Sequence, residues 1–364
     1  VTLVVEPAAL AGFARQVDRA AEDVGEIRGY FHRYAEAGTG GEVYNVAKAS
    51  HEHAVNVIDT TLKRLAGLLQ ASAPELTAAA TYYRTTDLTA AASLDRTLPS
   101  AADRCITRLE LEISANPCTP ANFADPRDVT WSLKPPGEPD NPANSLAFMD
   151  YLSPSAWAAT AFNIVFGFDP IGEIQKRVFG DWEALAVMAP VIGNMGGALH
   201  DVAYNVQSGA TTLRGHWQGT AGESAFRYFT TTANAVSDLR GPLAAISQGY
   251  REMADAVWAT GEALGGTIKA LLDSAIIAGV SIAAGTATAS TGAGAVVGYG
   301  LAAAEVAYML HLWGAATNLC QKLSAVVNTF GALLVRELSN LDAVALPSLP
   351  NSGRYDHPLA GLPA

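Results

Sequence analysis

The sequence predicts an all-α fold: long antiparallel helical hairpins forming a four-helix bundle, followed by a C-terminal helical hairpin rich in small residues. Three observations predict it. Apolar residues recur at three- and four-residue steps over most of the 364 residues, with no alternating strand–helix pattern. Apolar residues make up 49% of the chain and charged residues only 16%. Much of the apolar share is alanine and glycine, which let helices approach closely. Finally, glycine-bearing turns at Thr39-Gly40-Gly41 and at Gly215-His216-Trp217-Gln218-Gly219 each separate two long periodic stretches, as in an antiparallel helix pair.

The first hairpin occupies residues 1–95. Glu6-Pro7 is a helix start, since proline suits the first turn. Leu10, Phe13, Val17, Val24, Ile27 and Phe31 form the first stripe. Val43, Val46, Val55, Ile58, Leu62, Leu65, Leu69 and Leu76 form the second, with a kink expected at Pro74. The pattern runs on through Tyr83 and Asp87 to about Leu94. Residues 96–160 then read as a long proline-rich linker: half of the 18 prolines lie between Pro99 and Pro154. A connection of this length drapes over the surface or joins two modules.

The second hairpin is placed at 161–261. Asp169-Pro170 restarts helix with an N-cap followed by proline. Trp182, Leu185, Met188, Ile192, Met195, Leu199, Val202 and Val206 make one stripe as far as Arg214, bent near Pro190. Beyond the Trp217 turn, Phe226, Phe229, Ala233, Val236, Leu243, Ile246, Tyr250, Met253, Val257 and Trp258 carry the return arm, with a kink expected at Gly241-Pro242.

Residues 262–346 form the third hairpin. No charge occurs between Asp273 and Glu305. That length reaches across a bilayer, but much of it is small or hydroxylic. Two helices turning at Thr291-Gly292-Ala293-Gly294 would bury each other. Residues 347–364 read as a disordered polar tail.

Several function classes are set aside by composition. The net charge of -12 and the absence of any Lys/Arg run exclude a phosphate-tracking nucleic-acid binder. The same charge opposes a basic amphipathic helix on anionic lipid. Three cysteines without a CxxC pair give no support to zinc or thioredoxin-like chemistry. Cys105 and Cys118 stand near enough to pair in an oxidising compartment, and Cys320 reads as a small buried residue. Val1–Gln16 has no basic region followed by an apolar run, so no ordinary signal peptide is expected. Gly292-Ala293-Gly294-Ala295-Val296-Val297-Gly298 approaches a dinucleotide fingerprint, but the strand before it and the acid after it are missing; helix packing explains it better. His51-Glu52-His53 reads as a solvated helix face. No catalytic signature, cofactor motif or metal-ligand spacing emerges, and the chain is read as a non-enzyme.

Two short motifs remain. Trp217-Gln218-Gly219 is the chain's one Trp-x-Gly, and Tyr83-Arg84-Thr85-Thr86-Asp87 is its one Tyr-x-x-x-[Asp/Glu]. Each alone is close to what chance supplies. Their placement raises their weight: one lies between the arms of the second hairpin, the other near the end of the first. Trp217 offers a large apolar face with one N–H, suited to anchoring a partner. Gly219 permits a tight reversal. Tyr83 and Asp87, four apart on a helix, face the same way.

With these residues the chain resembles the WXG family of type VII (ESX) secretion substrates of actinobacteria. Phe179-Gly180-Asp181-Trp182-Glu183-Ala184-Leu185 and Thr291 to Gly300 are similar to runs that flank the motif in larger members. Residues 3–95, with Ala90, Ala91 and Leu94 after the tyrosine motif, look like EspC-type proteins, and the two halves together are similar in plan to EspB-type substrates and PE–PPE pairs. The linker length and Pro74 depart from that plan. The resemblance implies export of a folded protein and a secreted or cell-surface location. It also implies a composite export signal of Tyr83, Asp87, Trp217 and Gly219, read by the secretion ATPase. A dedicated chaperone, self-association and membrane contact through 274–304 remain open as further partners. The competing readings are a pore former and the delivery module of a toxin whose catalytic domain is absent.

Overall fold

The computed structural model describes residues 3–98, 105–115, 121–137, 155–291 and 293–348. The expected pairing of Cys105 with Cys118 and all but the first two residues of the expected tail at 347–364 lie outside the described residues.

Helix α1 (Pro7–Tyr34) starts at the predicted proline, and Leu10, Phe13, Val17, Val24, Ile27 and Phe31 are all buried. Fully burying each such side chain contributes about 1.5–3 kcal/mol, which is what fixes the face a helix turns inward. Helix α2 (Glu42–Thr85) runs 44 residues, about 66 Å at 1.5 Å per residue, and remains one helix through Pro74. Its stripe is buried except Val46, which is exposed, and Val55, which is half-buried. A short helix α3 (Leu88–Asp95) follows a break at Thr86 and Asp87.

The linker is more structured than a draped connection. Helix α4 (Arg108–Ala115) and two 3-10 turns at 121–123 and 129–132 lie against the bundle. Arg127 pins them. Its guanidinium pairs with Glu112 at 2.6 Å and with Asp201 at 3.2 Å, and it sits 3.7 Å over the Tyr204 ring. Asn205 adds a reciprocal pair of hydrogen bonds with the Arg127 backbone.

The run from Asp169 to Arg214, expected as one bent helix, is three. Helix α5 (Ala156–Val165) precedes α6 (Pro170–Val178), which the Asp169 side chain caps through Ile171 N–H as expected. Helices α7 (Trp182–Ala186) and α8 (Met188–His216) follow. The break falls at Val187, so Pro190 sits in the first turn of α8, where its missing N–H costs nothing. Between α6 and α7, Phe179 to Asp181 pair with the α1–α2 loop: Gly41 N–H donates to Phe179 O at 2.7 Å, and Gly40 bridges Gly180. The Tyr44 ring fills the space that a Cβ at Gly40 or Gly180 would occupy, and meets Trp182 edge-on at 5.1 Å.

The return arm divides at Leu239 into α9 (Thr220–Asp238) and α10 (Arg240–Ala287). Pro242 therefore stands in a first turn, as Pro190 does. Helix α11 (Ala293–Asp342) completes the chain. The boundary expected between 261 and 262 falls inside α10, which is continuous.

Helix α1 packs between α2 and α8, α8 packs on α10, α10 on α11, and α11 returns to α2. Five long helices thus close a ring around one core, where four were expected, because α11 is long enough to turn back onto the first hairpin. Ser247 donates to Ala189 O at 2.6 Å where α10 passes the start of α8. From Ser247 to Ala287, α10 continues for about 60 Å, so the α10–α11 tip lies at the opposite end of the molecule from Trp217.

Candidate functional site

The turn at the C-terminus of α8 is enclosed by three separate segments. The first is a two-residue strand, β1 (Val4–Val5), which pairs antiparallel with β2 (Trp217–Gln218), matching Val5 with Trp217. Glu6 N–H donates to His216 O at 3.0 Å, and the His216 ring lies 3.0 Å from the Glu6 carboxylate. The N-terminal segment therefore covers the turn, a contact that no periodicity in the sequence could announce.

The second segment is the end of α2. Tyr83 is buried and its ring meets that of Trp217 edge to face, with centroids 5.8 Å apart and planes at 73°. Such an aromatic pair is worth about 0.5–1.5 kcal/mol beyond its burial. The two motif residues thus share one end of the bundle and touch. Trp217 is only 3% exposed, however, so it does not present its face to a partner as expected; the indole is a core residue of this end.

Gly219 supports the reversal in two ways. Its φ is +131°, a conformation side chains rarely adopt, and a Cβ there would lie 2.8 Å from Asp95 Oδ2 and 3.0 Å from Leu3. Gly222, unremarked in the sequence, is equally constrained, since its Cβ would overlap the Trp217 carbonyl.

The third segment supplies a residue that sequence reasoning missed. Gly219 is the N-cap of α9 and has no side chain to satisfy the first N–H groups. Asp95 does so from 125 residues away: its carboxylate accepts Thr220 N–H and Ala221 N–H, each at 2.9 Å. Asp95 is buried, and the positive end of the α9 dipole favours its charge. The signal in the sequence is indirect: a glycine N-cap followed by a well-formed helix requires an acceptor from elsewhere.

Asp87 holds a different place from the one expected. Helix α2 ends at Thr85, so Tyr83 and Asp87 are not neighbours on one helical face. The Asp87 side chain instead caps α3, accepting Thr89 N–H at 2.9 Å and Ala90 N–H at 3.1 Å. Asp87 is exposed, as are Leu88, Thr89 and Ala90. The two acids are coupled through α3: Asp87 starts the helix whose last residue, Asp95, caps α9.

On the outer side of the turn, Arg214 pairs with Glu223 at 3.1 Å and lies 4.5 Å over the Phe226 ring. Trp217 Nε1 has no hydrogen-bond partner among the described residues.

The remaining chemistry-bearing groups are elsewhere. His51 was read as part of a solvated face, but it is 1% exposed. Its Nε2 lies 2.9 Å from Ala35 O and its Nδ1 2.8 Å from Tyr250 Oη. Since a carbonyl only accepts, Nε2 carries the proton and Tyr250 donates to Nδ1. Burial pushes the His51 pKa below its ordinary value. His53 on the same turn is exposed. Glu112, His200 and Ser237 line one groove, with His200 3.3 Å from Ser237 Oγ and 3.5 Å from Glu112. Burial raises the Glu112 pKa, but the Arg127 hydrogen bond and the nearby His200 outweigh it and hold the carboxyl below its ordinary value. Its strongest contact is thus the structural pair with Arg127. Among the described residues, no group of three or more His, Cys, Asp or Glu side chains is arranged to hold a metal ion.

No protein-family model matches this chain, and neither a curated protein nor a solved structure does.

Proposed function

We propose that this chain is a substrate of a type VII secretion system, a non-enzymatic interaction or assembly protein whose export signal is composed across two hairpins. The observation that carries the reading is the edge-to-face contact of Tyr83 with Trp217, which brings the two motifs to one end of the bundle. The burial of both rings divides the labour within the signal. Tyr83, Trp217 and Gly219 hold the two hairpins in register, while the exposed residues beside them, Asp87 and Leu88 above all, form the surface that the secretion ATPase would read. A folded signal of this kind is composed only once both hairpins have docked, which couples export to folding. The protein then acts outside the cell or at its surface.

The test measures secretion in a host with a type VII system. Export is expected to stop when the ATPase gene is deleted, and to fall with Tyr83→Ala and Trp217→Ala. Because those two residues are buried, Asp87→Asn is the sharper variant. Asparagine is as good an N-cap as aspartate, so α3 persists while the charge is lost. Export should drop several-fold while the amount of folded protein in the cell is unchanged. Secretion unaffected by loss of the ATPase would sink the proposal.

A further inference from the structure

The α10–α11 hairpin has its polarity turned inside out at the tip. Where the two helices meet, the residues are small: Ala278, Gly285, Gly298 and Ala302 are buried, and a Cβ on Gly298 would lie 2.6 Å from the Gly285 Cα. The large apolar residues point away from the partner helix. Ile276, Ile277, Val280, Val296, Val297 and Leu301 are all exposed, Val296 by 74% and Val297 by 64%. A helix pair in water places its bulky apolar side chains inside; small residues at the contact and large ones outside suit a pair surrounded by hydrocarbon.

Three further observations identify the occupant of this surface as lipid. First, residues 274–304 carry no charge while the whole chain carries -12, so the tip offers no electrostatic complement to a charged protein or to an anionic headgroup. Second, tip hydroxyls turn back onto their own helix: Thr286 donates to Ile282 O at 2.8 Å and Thr288 to Ala284 O at 2.7 Å, which lowers the cost of leaving water. Third, the polar boundary lies at a definite depth. Ser274 donates to Glu305 at 2.8 Å, and this carboxylate is the first charge below the tip on α11. From Ser274 to Ala287 is about 20 Å, more than the roughly 15 Å hydrocarbon depth of one leaflet and less than the roughly 30 Å of both. Half-exposed Tyr308, just past Glu305, stands at the level of the headgroups, where such a side chain is favoured.

The geometry points to a monotopic insertion device: the tip of the α10–α11 hairpin enters a bilayer from one side, does not span it, and stops at the Ser274–Glu305 pair. Windows of residues 220–287 and 296–342 are apolar enough to cross a membrane by length and composition, but the charges flanking the tip limit its reach. Insertion does not depend on the export reading, since the tip lies at the far end of the molecule from Trp217.

Flotation of the full chain with phosphatidylcholine vesicles tests this. The wild type is expected to float with neutral vesicles and to do so equally in high salt. Val297→Asp and Leu301→Asp, at exposed positions where folding is untouched, should each reduce bound protein at least tenfold. Val335→Asp, at a site 62% exposed on α11 but far from the tip, should bind like the wild type. A dye trapped in the vesicles should stay inside. Absence of flotation would overturn the proposal, as would binding confined to anionic vesicles or undiminished in the tip variants. Dye release dependent on the tip would replace non-spanning insertion with a pore. Self-association without lipid, abolished by Leu301→Asp, would make a second copy the occupant instead.

Discussion

The carboxylate of Asp95 accepts the N–H of Thr220 at 2.9 Å, so the last residue of the first hairpin's terminal helix caps the first turn of the second hairpin's return arm. This makes the two hairpins interdependent at the end where the motifs meet. Asp95→Ala leaves two N–H groups of α9, that of Ala221 buried and that of Thr220 partly so, without an acceptor, and a lost cap typically costs about 0.5–2 kcal/mol. A loss near 2 kcal/mol is expected here because the cap is charged and buried. Asp95→Asn should retain roughly half of it. Urea unfolding of the purified chain measures both. Equal stability of wild type and Asp95→Ala would show that water replaces the cap.

Gly219→Ala should be costly for two reasons that add: backbone strain at φ +131° and collision with Asp95 and Leu3. Residues forced into such conformations cost about 1–3 kcal/mol. Gly67, in the interior of α2 with open space where a Cβ would go, gives the contrast. Gly67→Ala should stabilise by about 0.5–1 kcal/mol through helix propensity alone. Thermal unfolding of the two variants should therefore shift in opposite directions.

Physical locality separates what was legible in the sequence from what was not. The stripe from Leu10 to Phe31 and the stripe from Trp182 to Val206 are buried as read, because helical period is encoded within a few residues. Val46 keeps a three-residue step from Val43 and is nevertheless exposed, since the inward face continues through Ala47, His51 and Ala54 and leaves Val46 on the outer side. The contact of Tyr83 with Trp217 was foreseeable only through the resemblance, whereas Asp95 had no local mark: a cap supplied across 125 residues leaves no spacing to recognise. Asp87 was misplaced because the helix was extended through Thr86, where Asp87 in fact begins a new one. The prolines of the linker argued against a long helix but concealed the docking role of Arg127. The length of α11 likewise decided a fifth bundle helix, which pattern alone could not assign to a neighbour.

Asp23 on α1 is a carboxylate in an unfavourable place. Burial, then the charges of Asp125 and Glu26, push its pKa from 3.8 up to about 6. A folded-state pKa above the unfolded one means that the folded protein binds more protons between the two values. Its contribution is fully present below about pH 4 and is lost as pH rises through about 6. Asp23→Asn should therefore stabilise the protein at pH 7.5, by about 1 kcal/mol once solvent screening of this half-buried group is allowed for. The advantage should vanish by pH 4. Urea midpoints of both proteins at the two pH values would decide the matter, and a constant difference would show that Asp23 titrates normally.

His51 should act in the opposite direction. Its pKa is lowered chiefly by burial, and the neutral ring fits its site: Nε2–H donates to Ala35 O while Nδ1 accepts from Tyr250. Protonation would put a second donor against the Tyr250 hydroxyl, which is itself completely buried. Of the charged groups around the ring, Glu52 favours the imidazolium and Lys48 opposes it, both from α2; Tyr250 on α10 and the Ala35 carbonyl supply no charge. The unfolded chain thus binds the proton more readily, so stability is complete above pH 6.5 and declines as pH falls through the lowered folded value. His51→Gln can keep one polar bridge between the α1–α2 loop and α10 without titrating. At pH 7.5 the variant should be the less stable, through imperfect fit. As pH is lowered to 5, the gap should close, because only the wild type loses stability from this site. Measuring the difference between the two proteins cancels the opposing trend from Asp23, so a gap that stays constant between pH 7.5 and 5 would show that His51 is not protonated on unfolding in that range.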